Sequence, residues 1–137
     1  MHKKDIEGLA ELRIRDAKVL LDTSSWSAAY YLSGYSIEFA LKACISKQFS
    51  AETIPDKSFM NDVFSHEYVK LIGLAGLQQS LNAKLKSDKA FAANWGICRE
   101  WSPNSRYATW EESDARYLYS AITNEQDGVL SWIKRHW

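Results

Sequence analysis

The chain is poor in the residues that break, staple or punctuate a fold. It has two cysteines, two prolines and six glycines in 137 residues. Two cysteines are too few for a disulfide framework. No CxxC pair exists, which argues against a Cys-based zinc site. Cys44 and Cys98 each sit within apolar sequence and read as buried free thiols. Charge of one sign is also missing: 17 basic residues balance 17 acidic ones, so any nucleic-acid or membrane contact would need a local patch. No run approaches the roughly 18 apolar residues of a membrane span. The opening Met1-His2-Lys3-Lys4-Asp5-Ile6 lacks the apolar stretch of a signal peptide, and the expectation is a cytoplasmic protein. No glycine-rich phosphate loop, GxSxG elbow or His-Glu-x-x-His metal motif occurs, so neither a cofactor nor a metal is expected.

What is present is long helical periodicity. The apolar fraction of 46% suffices for a core, and the length fits one domain, residues 1–137. Ile6, Leu9, Ala10, Arg13, Ala17, Leu20 and Leu21 recur at three- and four-residue steps, which predicts a first helix from about Lys4 to Leu21. Arg13 interrupts this stripe and is expected to pack its stem while its head reaches solvent. A second helix, from about Ser25 to Phe49, is apolar on most sides and should be central. Gly34 in its interior would cost about 1 kcal/mol against Ala, so it should admit a close neighbour, expected to be another helix. Ser50 to Asn61 reads as the main loop. Ser65 is a plausible cap for a third helix carrying Tyr68, Val69, Leu71 and Ile72, and Leu77 to Leu85 continues as a short one. Ser87-Asp88 caps a helix carrying Phe91, Trp95, Cys98 and Trp101. After a turn at Ser102–Ser105, a last helix starts near Thr109–Ser113 and runs to the C-terminus, with a bend at Gly128. The expected fold is all-α, an up-and-down bundle of four to five helices.

Candidate chemistry concentrates on the second helix. Glu38 and Lys42 share a face at i, i+4, with Tyr31 and Tyr35 on the same stripe. Such a pair is either a surface ion pair or the lining of a groove, and the apolar character of the helix favours the groove. His66 heads the third helix, where a lone histidine is commonly a hydrogen-bonded structural residue. Arg106 and Tyr107 lie in a turn between Trp101 and Trp110. Arginine beside aromatics suits a base or a phosphate. The competing reading pairs Arg106 with Glu111 or Glu112. The C-terminal Lys134-Arg135-His136 fits a favourable helix end.

The pattern Tyr31-x-x-Gly34-Tyr35-x-x-Glu38-x-Ala40-Leu41-Lys42-Ala43 resembles a helix of the HEPN family. Trp26-Ser27-Ala28-Ala29-Tyr30 before it, Ser65-His66-Glu67 and Asn104-Ser105-Arg106-Tyr107 extend the resemblance over most of the chain. The resemblance implies a helical bundle that dimerises. It also implies either a metal-independent endoribonuclease, often a toxin or defence protein, or a non-catalytic nucleotide- or RNA-binding partner of a small nucleotidyltransferase. The nuclease branch carries an Arg, a polar residue and a His four to six residues after the Arg. Here no Arg precedes His66 at that spacing, and His136 has only the adjacent Arg135. The expectation is therefore a non-catalytic, homodimeric module that binds a nucleotide or RNA phosphate through Glu38, Lys42, His66, Arg106 and Tyr107, with no catalytic residues assigned. The alternatives are a ribonuclease with a degenerate site and a structural adaptor for a protein partner. Six Trp and seven Tyr are the compositional motive for the homodimer.

Overall fold

The computed structural model describes all residues, Met1–Trp137, and contains helices without any strand. There are eight α-helices, not four or five: α1 Lys3–Asp22, α2 Trp26–Ser46, α3 Lys57–Val63, α4 Tyr68–Leu74, α5 Gln78–Ser87, α6 Lys89–Cys98, α7 Glu112–Thr123 and α8 Val129–Lys134. A 3-10 turn, Pro103–Tyr107, lies between α6 and α7. No helix is long and apolar enough to cross a membrane.

The excess over the expected count has local causes. In the segment expected to be loop, the Asp56 side chain accepts from the Ser58 amide at 2.6 Å and starts α3. Leu71–Leu77 closes on Gly76, whose φ of +73° suits a residue without a Cβ, and this separates α4 from α5. The expected last helix breaks at Asn124. Its Oδ1 accepts from the amides of Gln126 and Asp127, and its carbonyl accepts from Gly128. The expected capping box at Thr109–Glu112 forms instead between Glu111 and Asp114.

The two long helices match expectation closely. α1 buries Glu7, Ala10, Ile14, Ala17 and Leu21, a single stripe whose two alanines let α2 approach. Ile6, Leu9 and Leu20 are only partly covered, so the buried stripe is rotated slightly from the one expected. Arg13 lies over the Phe39 ring, 5.9 Å from its centroid, with its head near Asp16 at 3.7 Å. α1 and α2 thus form an antiparallel hairpin through the turn at Thr23–Ser25. More than half of α2 is buried, and α1, α4, α7, α8 and the 3-10 turn all pack on it. Its polar core residues are satisfied locally: Ser33 donates to the Ala29 carbonyl at 2.7 Å and Ser36 to the Ser33 carbonyl at 2.6 Å. Cys44 and Cys98 are free and buried. Burial pushes the Cys44 thiol up to about 11 and the Cys98 thiol higher still, which leaves both unreactive near neutrality.

Gly34 admits a close neighbour, but the neighbour is the Trp101 indole and not a helix. A Cβ on Gly34 would sit 2.0 Å from Trp101 Cε2. The indole Nε1 donates to the Tyr31 carbonyl at 3.2 Å. Tyr68 stacks on Trp101 at 5.5 Å and donates its hydroxyl to the Gly34 carbonyl at 2.6 Å. Gly34→Ala should therefore destabilise the fold by about 1–3 kcal/mol through overpacking, even though alanine favours the helix by about 1 kcal/mol. Urea unfolding of the variant checks this, and a gain in stability would show that the indole is not wedged against the helix.

Candidate functional site

α2 leaves one stripe partly open: Tyr31, Tyr35, Phe39 and Lys42, spaced so that each sits one helical turn beyond the last. Glu38 lies beside this stripe but is buried, with 2% of its surface exposed. Its Oε1 pairs with Lys42 Nζ at 2.8 Å and with His66 Nδ1 at 2.9 Å. The Lys42 side chain is itself only 17% exposed. The pair is therefore no surface salt bridge. Glu38 Oε2 is buried and has no hydrogen-bond partner, the only side-chain polar atom of the chain in that condition.

His66 is placed by the start of α4. The helix begins at Tyr68, with Ser65 Oγ accepting from the Glu67 amide at 3.1 Å, so His66 stands just ahead of the first turn. Its ring meets Tyr35 edge-on at 6.4 Å between centroids. Nδ1 is engaged by Glu38, and about half of the side chain is left exposed.

Arg106 and Tyr107 occupy the end of the 3-10 turn. Ser102 and Ser105 cap that turn reciprocally, and Trp101, seated at Gly34, anchors its entry. Arg106 Nη2 donates to the Tyr107 hydroxyl at 2.8 Å while its guanidinium lies over the Tyr107 ring at 4.7 Å. It forms no salt bridge; Glu112, one of its expected partners, holds Arg116 at 2.7 Å instead. The Tyr107 hydroxyl, and after it the nearby Tyr31 hydroxyl, raise the Arg106 guanidinium above its ordinary value.

Tyr31 and Tyr35 link the two groups. Their hydroxyls are 3.2 Å apart and their rings meet edge-on at 5.2 Å. Burial, followed by the hydrogen bond to Tyr31, pushes the Tyr35 hydroxyl up to about 12; Glu38 adds to the rise and Arg106 opposes it. Tyr35 thus feels both ends. The result is a row running Lys42, Glu38, His66, Tyr35, Tyr31, Arg106, Tyr107. Glu38, Lys42 and His66 are in direct contact. Arg106 and Tyr107 join them only through the two tyrosines. The supporting Trp101 and Tyr68 were not among the candidates, because their role depends on a contact between segments far apart in sequence.

The row combines a buried carboxylate, a half-exposed imidazole, two phenols and an unpaired guanidinium. It can hold an anion at Arg106 and offer hydroxyl and imidazole groups beside it. No cluster of three or more His, Cys, Asp or Glu side chains is arranged to hold a metal ion. No family model, curated protein or solved structure matches this chain.

Because Lys42 and Glu38 are largely shielded from water, removing either leaves the other without its partner. Glu38→Ala and Lys42→Ala should each cost about 1–3 kcal/mol. The double substitution should cost less than their sum by about 1 kcal/mol. A double-mutant cycle in urea measures this, and strict additivity would mean that the pair is not coupled.

Proposed function

We propose that this chain is an HEPN-like helical module that binds a nucleotide or RNA phosphate without cleaving it. The observation that carries this reading is Arg106: an exposed guanidinium with no carboxylate partner, held against an aromatic ring. With no acidic partner, its charge and its remaining donors are open to an anion. Tyr107, 77% exposed, offers a face on which a base can stack, and the Tyr31–Tyr35 hydroxyls offer hydrogen bonds beside the phosphate. The resemblance of the Tyr31–Ala43 helix to HEPN sequences supports the same class of ligand, with a small nucleotidyltransferase as the partner protein that the resemblance implies.

Self-association is part of this reading, on different grounds from composition. Trp95, Trp101 and Trp132 are buried in the monomer and the other three tryptophans are partly covered, so the tryptophans require no partner, while Tyr107 and Tyr117 remain exposed. Phe64, 70% exposed, and Phe49 line an open apolar groove next to Lys42, which supports a homodimer interface there. Light scattering at tens of micromolar protein tests it: a dimer is expected, and a strictly monomeric mass would exclude it.

Arg106→Ala should weaken binding of a short single-stranded RNA by about tenfold, while the melting temperature stays nearly constant. Fluorescence anisotropy at low salt measures the first and thermal unfolding the second. Unchanged affinity would remove Arg106 from the site.

One observation favours a second reading, a metal-independent ribonuclease. Glu38 on Nδ1 holds the His66 ring with its other nitrogen available to accept a proton, as in a general base. RNA cleavage by purified protein in EDTA, lost in His66→Ala, would select this reading; its absence leaves binding alone.

A further inference from the structure

On a different face of α2 from the Arg106 row, α6, α7 and Trp110 flank an open surface cavity of about 540 Å³. Its walls include the rings of Tyr30, Trp110 and Tyr117 and the carboxylates of Glu100 and Asp114, and no Lys, Arg or His lines it. The aromatic wall is rigid. Tyr30 and Trp110 stack at 3.9 Å with their planes 13° apart. Trp110 is fixed further by its amide, which donates to Ser27 Oγ at 2.9 Å, and its indole, which donates to the Ser105 carbonyl at 3.0 Å. Tyr117, by contrast, is 65% exposed and stands at the rim.

The polar groups of this lining are free to receive an occupant. The Tyr30 ring is buried, while its hydroxyl, which keeps contact with solvent, makes no hydrogen bond to the protein. That hydroxyl is raised to about 12 by burial first, then by the charges of Asp114 and Glu100, which line the same depression. Glu100 takes part in no ion pair, and Asp114 only caps its own helix, through Oδ2 and the Glu111 amide at 3.0 Å. The rings are equally unclaimed. The cations of this chain that sit on aromatic faces cover Phe39, Phe91, Tyr107, Trp26 and Trp137, and none covers Tyr30, Trp110 or Tyr117.

We propose that this cavity binds an organic cation, an ammonium or guanidinium on an aliphatic stem. The stem lies against Trp110 and Tyr117, and the charged head donates to Glu100, Asp114 and the Tyr30 hydroxyl. Aromatic faces attract a cation through their quadrupole, and the two carboxylates supply the opposite charge. A neutral apolar ligand would leave all three oxygen groups unpaired. An anion would meet two like charges. The same head chemistry occurs in free aliphatic amines and in the lysine or arginine side chains of a peptide. This site stands apart from the phosphate reading and does not depend on it.

The Trp110 indole N–H resonance, identified by its loss in Trp110→Phe, reports occupancy directly. The titrants are n-butylammonium, n-butylguanidinium and neutral n-butanol. At least one cation should shift the resonance saturably, with n-butanol weaker by about tenfold or more. Glu100→Gln, which removes a charge without removing any hydrogen bond of the fold, should weaken the cation by about tenfold. Gly96 lines the cavity and a Cβ there meets nothing within 4 Å, so Gly96→Leu should fold, as circular dichroism verifies, and lose binding by filling the space. Backbone-blocked lysine and arginine form the second arm. Tighter binding of these than of the alkyl cations assigns the site to a peptide side chain, and the reverse assigns it to a free amine. Equal shifts by n-butanol and the cations, unchanged affinity in Glu100→Gln, or no saturable shift up to about 50 mM cation would overturn the proposal.

Discussion

The architecture depends on one vacancy in α2, the missing side chain at Gly34, and on the indole that fills it. Trp101 enters that space closely enough that even a methyl group would collide with it. From this seat the chain leaves directly into the 3-10 turn, so the position of Arg106 follows from the position of Trp101. The same contact governs the other side of the row. Tyr68 stacks on the indole and hydrogen-bonds the Gly34 carbonyl, which fixes the first residue of α4 and with it His66, two residues earlier. One aromatic stack thus positions two side chains that lie 40 residues apart in the sequence, on either side of Tyr35. Glycine's cost within a helix is offset by burial of two large rings.

The row separates its charges by depth. Glu38 is buried, and its demand for compensation is met on one oxygen by Lys42 and His66 and left unmet on the other. That arrangement orients its partners at some cost to stability, because a buried acceptor without a donor forfeits its hydration. Arg106 stands at the opposite extreme, exposed and unpaired. The Tyr35 hydroxyl between them remains neutral near pH 7, since burial raises it far above that range. Two consecutive residues of α2 serve opposite ends of the surface chemistry. Tyr31 faces the cationic row, and Tyr30, a third of a turn around the helix, faces the acidic aromatic cavity.

Much of the helical framework was legible from periodicity. α1 and α2 begin and end within a few residues of their expected limits because α1 carries a long apolar stripe and α2 a long run that is apolar on most sides. Asp88 caps α6 as expected, accepting from the Phe91 amide at 3.0 Å. The shorter helices were harder to read. α3 and α8 span seven and six residues, too few for a periodic signal, and each is set by a local stop or start: Pro55-Asp56 for one, Asn124 with Gly128 for the other. Those breakers are visible in the sequence as turn formers, but not the fact that a helix resumes after them. For the candidate site, the shared face of Glu38 and Lys42 followed from spacing alone. That His66 would reach the same carboxylate, and that Arg106 would reach the row only through Tyr31 and Tyr35, required contacts between distant segments that no local pattern encodes. The cavity beside Trp110 was invisible for the same reason, its lining being drawn from α2, α6, α7 and the loop before α7.

The central claim is that the stack at Gly34 gathers His66, Tyr35, Tyr31 and Arg106 into one surface that receives a phosphate-bearing ligand. Side-chain NMR of the labelled protein, titrated with a short single-stranded RNA, tests this most directly. The account predicts that the aromatic resonances of Tyr31, Tyr35 and His66 and the guanidinium resonance of Arg106 shift together along one saturation curve. Shifts confined to other surfaces, or Arg106 moving while His66 and Tyr35 stay fixed, would contradict it.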